Sequence, residues 1–377
     1  MKFQLELKAL SDALAVVGRA VAGKGIRPVL ANVMCVAIPG ELKLVGTDNE
    51  IMATSRLVAN VEVPGQCTIP AKLLIEVVSS LPVESGAEKV NFSQLEGHDN
   101  QIELATGRGK FILQVQGTEE FPPLPVMEGA EFPKFSLTNE ELKTALKEVS
   151  IAMGTEEANV TQRCVCFSFV EGKLRLVATD SRRLAVGWLP TVKYPPEFEK
   201  NFLVPTRAIP ELLKILEDGD SIEVGLFKEQ LMFTTKRFQM LTRLYEGKFP
   251  DYNRIMPKDT TRILTIRTKD LLQAIKAVAP IARSAAMMVH FDVGANETRI
   301  WSESPEEGNS EVYISTQFKG EPINIAFNGK YIQDFLGVVG SDELVIEMTT
   351  PAFPGLFRPL KSDSDYKCVI MPMTLNG

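Results

Sequence analysis

Residues 174–186 run Leu174-Arg-Leu-Val-Ala-Thr-Asp-Ser-Arg-Arg-Leu-Ala-Val186. Leu174, Leu176 and Ala178 alternate with Arg175 and Val177, the period of a strand with one buried face. Thr179-Asp180-Ser181 is turn chemistry, because short Asp and Ser side chains bond nearby backbone. Leu184-Ala185-Val186 resumes an apolar run, so the unit predicts strand, tight turn, strand. A second copy lies upstream as Leu42-Lys-Leu-Val-Gly-Thr-Asp-Asn-Glu-Ile-Met-Ala53. The pairs Thr47-Asp48 and Thr179-Asp180 stand a domain's length apart, and only the later copy carries the double arginine Arg182-Arg183.

The flanks of these copies repeat as well. The first block opens with an alternating strand, Met1–Leu7. A helix follows with Leu10, Ala13, Leu14, Val17, Ala20 and Val21 at spacings of three and four, and Ser11 is its expected cap. A second helix starts after Ile69-Pro70. The middle block has a strand at Phe135–Leu137 and capping-box spacing in Thr138-Asn-Glu-Glu141. Its helix carries Leu142, Ala145, Leu146 and Val149, and a second helix follows Val204-Pro205. The last block has a strand at Arg262–Arg267 and a helix through Leu271, Leu272, Ile275 and Val278, with Thr268 as cap. Pro280 is expected to kink or end that helix. Its second helix spans Asn328–Leu336. Phe121-Pro122 and Phe249-Pro250 close the first two blocks at a similar separation. Each block is thus domain-sized, about 120–135 residues, not a short solenoid repeat. Amphipathic helices need an apolar sheet face, so the expectation is an α+β chain of three similar domains, 1–131, 132–259 and 260–377. Each would carry two helices on antiparallel sheet.

Composition narrows the function. The chain has 377 residues, 45% hydrophobic and 24% charged, a globular profile. No apolar run is long enough to span a bilayer, and the N-terminus lacks the apolar block of a signal peptide. A cytoplasmic protein with no membrane partner is expected. Five dispersed cysteines and two histidines suggest buried thiols, with no metal site and no cofactor. The net charge of −7 argues against a uniformly basic nucleic-acid binder but leaves room for one basic face.

Gly18-Arg-Ala-Val-Ala-Gly-Lys-Gly25 nearly matches a phosphate-binding loop, which would make the chain a nucleotide-dependent enzyme. Gly25 offers no hydroxyl, however, and the stretch ends a helix where the motif should follow a strand. Asp48 and Asp180 fit turn stabilisation better than catalysis, since no acid, base or histidine recurs beside them. Basic residues recur where the second helices begin, at Lys72, Arg207 and Lys330, a pattern that suits a surface facing phosphates. The C-terminal Tyr366-Lys-Cys-Val-Ile-Met-Pro-Met373 is apolar almost to its end, as a last strand or a groove lining would be.

Taken in order, Met1-Lys-Phe3, Arg27-Pro-Val-Leu-Ala-Asn32, Thr68-Ile-Pro70, Ala178-Thr-Asp-Ser-Arg-Arg-Leu-Ala185, Phe249-Pro-Asp-Tyr252, Phe327-Asn328 and Met371-Pro-Met373 resemble the bacterial sliding clamps, the beta subunits of DNA polymerase III. The resemblance spans the whole chain and implies the DNA clamp fold: a ring formed as a head-to-tail homodimer of three-domain subunits. Such a ring encircles double-stranded DNA without sequence preference and has no catalysis of its own. It implies partners that dock by short apolar peptide motifs: the DNA polymerase III alpha subunit, the clamp loader, and other polymerases and repair proteins. By matched position their pocket would contain Thr179, Ser181, Arg182, Arg183, Leu184, Pro250, Arg254, Ile255, Tyr331, Val369, Met371, Pro372 and Met373. Arg183 and Arg254 would bond the peptide at the edge, and Met371 and Met373 would share one strand face. Lys24, Lys72, Lys147 and Arg207 would touch DNA phosphates. Phe111 and Leu113 of one subunit would meet Ile281 and Ala282 of the next. A peptide-binding scaffold without DNA is the alternative function.

Overall fold

Two junctions between backbone ladders organise this computed structural model, which describes residues 1–23, 27–81, 88–107, 109–125, 131–154, 159–189, 191–217, 221–361 and 365–374. The first block contributes β1 (Lys2–Glu6), α1 (Leu7–Val17), β2 (Asn32–Ile38), β3 (Glu41–Thr47), β4 (Ile51–Val58), β5 (Asn60–Val63), β6 (Gly65–Pro70), α2 (Ala71–Ser80), β7 (Lys89–Leu95), β8 (His98–Ala105) and β9 (Lys110–Gln114). The middle block contributes β10 (Lys134–Thr138), α3 (Asn139–Ser150), β11 (Cys164–Val170), β12 (Lys173–Thr179), β13 (Arg183–Leu189), β14 (Asn201–Pro205), α4 (Ala208–Ile215), β15 (Ser221–Phe227), β16 (Gln230–Thr234) and β17 (Phe238–Arg243). The last contributes β18 (Arg262–Arg267), α5 (Thr268–Ser284), β19 (Met288–Val293), β20 (Glu297–Ser304), β21 (Gly308–Ser315), β22 (Gln317–Lys319), β23 (Ile323–Asn328), α6 (Gly329–Leu336), β24 (Glu343–Met348), β25 (Gly355–Pro359) and β26 (Lys367–Ile370).

The described strands form four antiparallel sheets. One has five strands in the order β5-β1-β7-β8-β9, and an eight-stranded sheet runs β10-β15-β16-β17-β4-β3-β2-β6. The eight-stranded sheet joins the middle block to the first where β17 pairs with β4, Leu241 opposite Met52. A nine-stranded sheet runs β14-β11-β12-β13-β26-β25-β24-β18-β22, and a four-stranded sheet runs β21-β20-β19-β23. The nine-stranded sheet joins the middle and last blocks where β13 pairs with β26, Leu184 opposite Val369. The middle block therefore divides its strands between two shared sheets. Accordingly, the chain falls into two compact units, one of Met1–Glu140 with Arg207–Leu244 and the other of Glu141–Thr206 with Tyr245–Gly377.

In the first unit α1 lies across β3 and β4 and packs on α2 and α4. Its buried stripe is Leu7, Leu10, Ala13, Leu14, Val16 and Val17. The helix begins at Leu7, one turn before Ser11, so Ser11 lies inside it and caps nothing. The burial of Leu7 and Leu10 draws the first turn onto the sheet and overrides the local capping preference. In the second unit α5 passes Pro280 and continues to Ser284, with Ala282 fully buried beyond it. Pro280 itself is exposed, and packing of Ala279 and Ala282 keeps the last turn in place despite the missing donor. Thr268 does not cap it; its hydroxyl donates to the Ser341 carbonyl. No described helix is long and apolar enough to cross a membrane.

Close approach of α1 to its sheet depends on Gly46 in β3. A Cβ there would sit 2.3 Å from the Val17 carbonyl oxygen. Gly46→Ala must push the end of α1 outward, at a cost of about 1–3 kcal/mol. The expected result is a lower midpoint in thermal or urea unfolding; an unchanged midpoint would show that α1 is free to shift.

Candidate functional site

The two motif turns are built alike. In the second unit the Thr179 hydroxyl donates to the Arg183 carbonyl at 2.8 Å. The amides of Arg182 and Arg183 both donate to Asp180 Oδ1 at 2.9 Å. In the first unit the Thr47 hydroxyl donates to the Ile51 carbonyl at 2.7 Å, and the amides of Glu50 and Ile51 donate to Asp48 Oδ1. Ser181 and Asn49 both adopt left-handed backbone, φ 69° and 75°. Each aspartate is thus a turn-former, and each also holds a guanidinium from a different source. Asp48 pairs with Arg207 Nε at 3.3 Å, from the residue preceding α4. Asp180 pairs with Arg183 Nε at 3.0 Å, from its own turn.

Arg183 explains the double arginine of the second copy. Its other arm donates to Asp334 Oδ2 of α6 at 2.8 Å, and its guanidinium lies 4.2 Å from the Tyr331 ring centroid. Lys330 also reaches Asp334. Asn328 caps α6 by accepting from the amides of Lys330 and Tyr331. Arg183, Asp180 and Asp334 are all largely buried. Arg183, expected to bond a peptide at the pocket edge, engages two carboxylates through Nε and Nη1 and so fastens β13 to α6. Burial first, and then the Asp180 charge, hold the Tyr331 hydroxyl above its usual pKa.

Beneath this clasp lies an apolar cluster of Leu184, Val186, Val369, Leu356, Cys164, Cys166 and Phe249, with Tyr252 and Met256 packed against it. Leu184 and Val369 are 2% and 1% exposed, so both form a closed floor and not an open groove. Burial pushes the thiols of Cys164 and Cys166 up to about 12, which keeps both protonated and unreactive within that floor. The surface above is made by Ile255, 42% exposed, and Met371, 39% exposed. Arg182, Ser181 and Pro250 are exposed, Thr179 is half-buried, and Arg254 is exposed beside Asp251. β26 ends at Ile370, so Met371 and Met373 do not share a strand face as expected. Their backbone is nevertheless tied down: the Met371 amide donates to the Arg182 carbonyl at 2.9 Å and that of Met373 to the Ala326 carbonyl at 2.8 Å.

The other expected residues divide by burial. Lys72 is almost fully exposed, 3.9 Å from Glu76, and Lys147 is exposed. Arg207 is instead committed to Asp48 and to Glu211, which also receives Arg19. Lys24 lies outside the described residues. Leu113 and Ala282 are buried within the chain, and Phe111 and Ile281 are half-buried. Sequence reasoning missed their exposed neighbours, Ile112 on β9 and Tyr313 on β21, each 53% exposed. It also missed Asp334, whose only sequence signal is its i,i+4 spacing from Lys330.

Arg183→Ala removes the cation that Asp180 and Asp334 share, leaving Asp334 only Lys330, at a cost of about 3 kcal/mol. A lower chemical-denaturation midpoint is expected, and one equal to the parent's would remove the clasp from the account.

The DNA polymerase III beta subunit family models match in three consecutive pieces: the N-terminal domain over residues 1–125, the central domain over 136–251 and the C-terminal domain over 253–374. The beta sliding clamp of Pseudomonas aeruginosa is 28% identical over 100% of both chains, and that of Bacillus subtilis is 27% identical over 99% of both. Among solved structures, the DNA polymerase III beta subunit of Thermotoga maritima superposes with a TM-score of 0.91 at 25% identity, covering 99% of each chain. A sliding clamp of Bartonella birtlesii bound to griselimycin superposes at 0.92 with 27% identity over 100% of each. With closely similar element orders in the three blocks, the middle one having one strand fewer between its helices, and family matches along nearly the entire length, this chain belongs to the DNA polymerase III beta subunit family, the sliding clamps.

Proposed function

We propose that two copies of this chain join head to tail into a ring that encircles duplex DNA and tethers replication and repair proteins to it. It acts as a topological tether, not as an enzyme, in the cytoplasm where the DNA lies. The repeats 1–131, 132–259 and 260–377 serve as three of the ring's six domains. The observation that carries this is the pairing of strand edges. In order along the blocks, β4, β13 and β21 are equivalent, as are β9, β17 and β26. β17 pairs with β4 and β26 pairs with β13. β9 and β21 are left over, each at the edge of its sheet among the described residues. An exposed edge carrying Ile112 or Tyr313 invites another strand. Pairing β9 of one copy with β21 of another joins a five-stranded to a four-stranded sheet, giving nine strands as in the sheet shared by the middle and last blocks. Head-to-tail contact repeated twice closes by rotation.

DNA is held by enclosure, so only weak phosphate contacts are needed, and Lys72 and Lys147 supply them. Partners such as the DNA polymerase III alpha subunit and the clamp loader dock short apolar peptides on Ile255 and Met371. Arg182 and Arg254 are the exposed cations at that rim. A buried Leu or Phe side chain contributes about 1.5–3 kcal/mol, which suits partners that must exchange.

The protein should stay on circular DNA after loading and run off once the circle is cut; equal loss from both forms would exclude enclosure. In sedimentation, Ile112→Asp should convert the dimer to a monomer, and a dimer that survives it would move the interface away from β9. Leu184→Asp would bury a carboxylate in the closed cluster and threaten the fold. Ile255→Asp with Met371→Asp, both at exposed positions, is the cleaner pair. It should abolish calorimetric binding of an apolar peptide while the dimer persists.

A further inference from the structure

The eight-stranded sheet repeats the partner site's architecture where nothing has so far been assigned. Met52 on β4 faces Leu241 on β17, as Leu184 faces Val369. The Arg243 amide donates to the Glu50 carbonyl at 2.9 Å, the same bond at the same distance that Met371 makes to Arg182. Phe121-Pro122 crosses here as Phe249-Pro250 does there. In the second unit Leu184 and Val369 are sealed and the depression lined by Val186, Leu356, Tyr252 and Met256 is about 310 Å³; here the space is wider. It is a depression of about 870 Å³, walled by Met52, Leu124 and Leu241 with the two cations Lys228 and Arg243 and one carboxylate, Glu50. Met52 and Leu124 are only partly buried against their cluster, so apolar surface remains uncovered.

We propose that this depression is a second peptide-docking groove, one that takes a short extended segment with a large apolar side chain and an adjacent carboxylate. The apolar part follows from Met52, Leu124 and Leu241. The acidic part follows from Lys228 and Arg243, both exposed, for which no carboxylate partner occurs among the described residues. At the equivalent of Arg243 the first groove has the neutral Met371, and at the equivalent of Arg182 this groove has Glu50, so the two share a floor plan but place their rim charges differently. The ligand class, a peptide, rests on the proposed role of the first groove; the location and the charge preference do not. A cavity of this size holds a few side chains, which is the scale of a linear motif.

The test is a calorimetric titration of the full-length protein with the pentapeptide Gly-Asp-Leu-Phe-Gly. The proposal expects a second equivalent bound per chain, lost on Met52→Asp and kept on Ile255→Asp with Met371→Asp. Lys228→Glu with Arg243→Glu lies at the surface and should leave the fold intact. It should weaken that second equivalent at least about tenfold, while replacing the peptide's Asp by Asn should do the same in the parent protein. A single equivalent, lost on Ile255→Asp with Met371→Asp and indifferent to Met52→Asp, would overturn the second groove and leave the first standing. Binding that responds only to Met52→Asp would support the second groove and remove the first. No binding at all would overturn both.

Discussion

Backbone hydrogen bonding between strands of different blocks is the constraint on which the rest depends. Where β17 meets β4, and again where β13 meets β26, the last strand of one block continues the sheet of the block before it. Such a ladder satisfies donors and acceptors that would otherwise be exposed, and it fixes side-chain register to a single value. Each junction therefore places one block's motif turn beside the next block's closing strand. Both candidate grooves arise at these seams, and among the described residues the same rule leaves β9 and β21 each with one open edge.

A guanidinium on the motif aspartate reinforces each seam, and the two seams obtain it differently. Arg207 reaches Asp48 from the start of α4 and shares Glu211 with Arg19. Arg183 reaches Asp180 from within the turn and spans to Asp334 on α6. The second arrangement lets Arg183 stack on Tyr331 and closes the seam over Leu184 and Val369. The first leaves Ile51 at the equivalent of Arg183, with no charge to reach across, and the seam stays open above Met52.

Much of this was legible in the order of residues. Period-two and period-3.6 patterns marked the strands and helices, and the Thr-Asp turn recurring at a domain's spacing revealed the repeat. The motifs spread from Met1 to Met373 pointed to the sliding clamps. Local patterns carry this information because each is a contact between near neighbours: a turn closing on its own amides, or a stripe on one helix. Ser11 does not cap and Pro280 does not end its helix because capping and helix breaking are local preferences of about 1–3 kcal/mol, which the packing of Leu7, Leu10 and Ala282 outweighs.

What only the tertiary structure decided was which apolar and basic residues remain available. Leu113 and Ile112 are adjacent apolar residues of one strand, yet one is sealed and the other bare. Arg183 and Arg182 are adjacent arginines, yet one is bound by two carboxylates and the other is exposed. The sequence alone determined the repeat, the element types and the family. It could not determine exposure or ion pairing, because Asp334 lies in a different block from Arg183, and Arg207 in a different block from Asp48. Partners so distant in the chain meet only when whole sheets assemble, and no local pattern records that encounter.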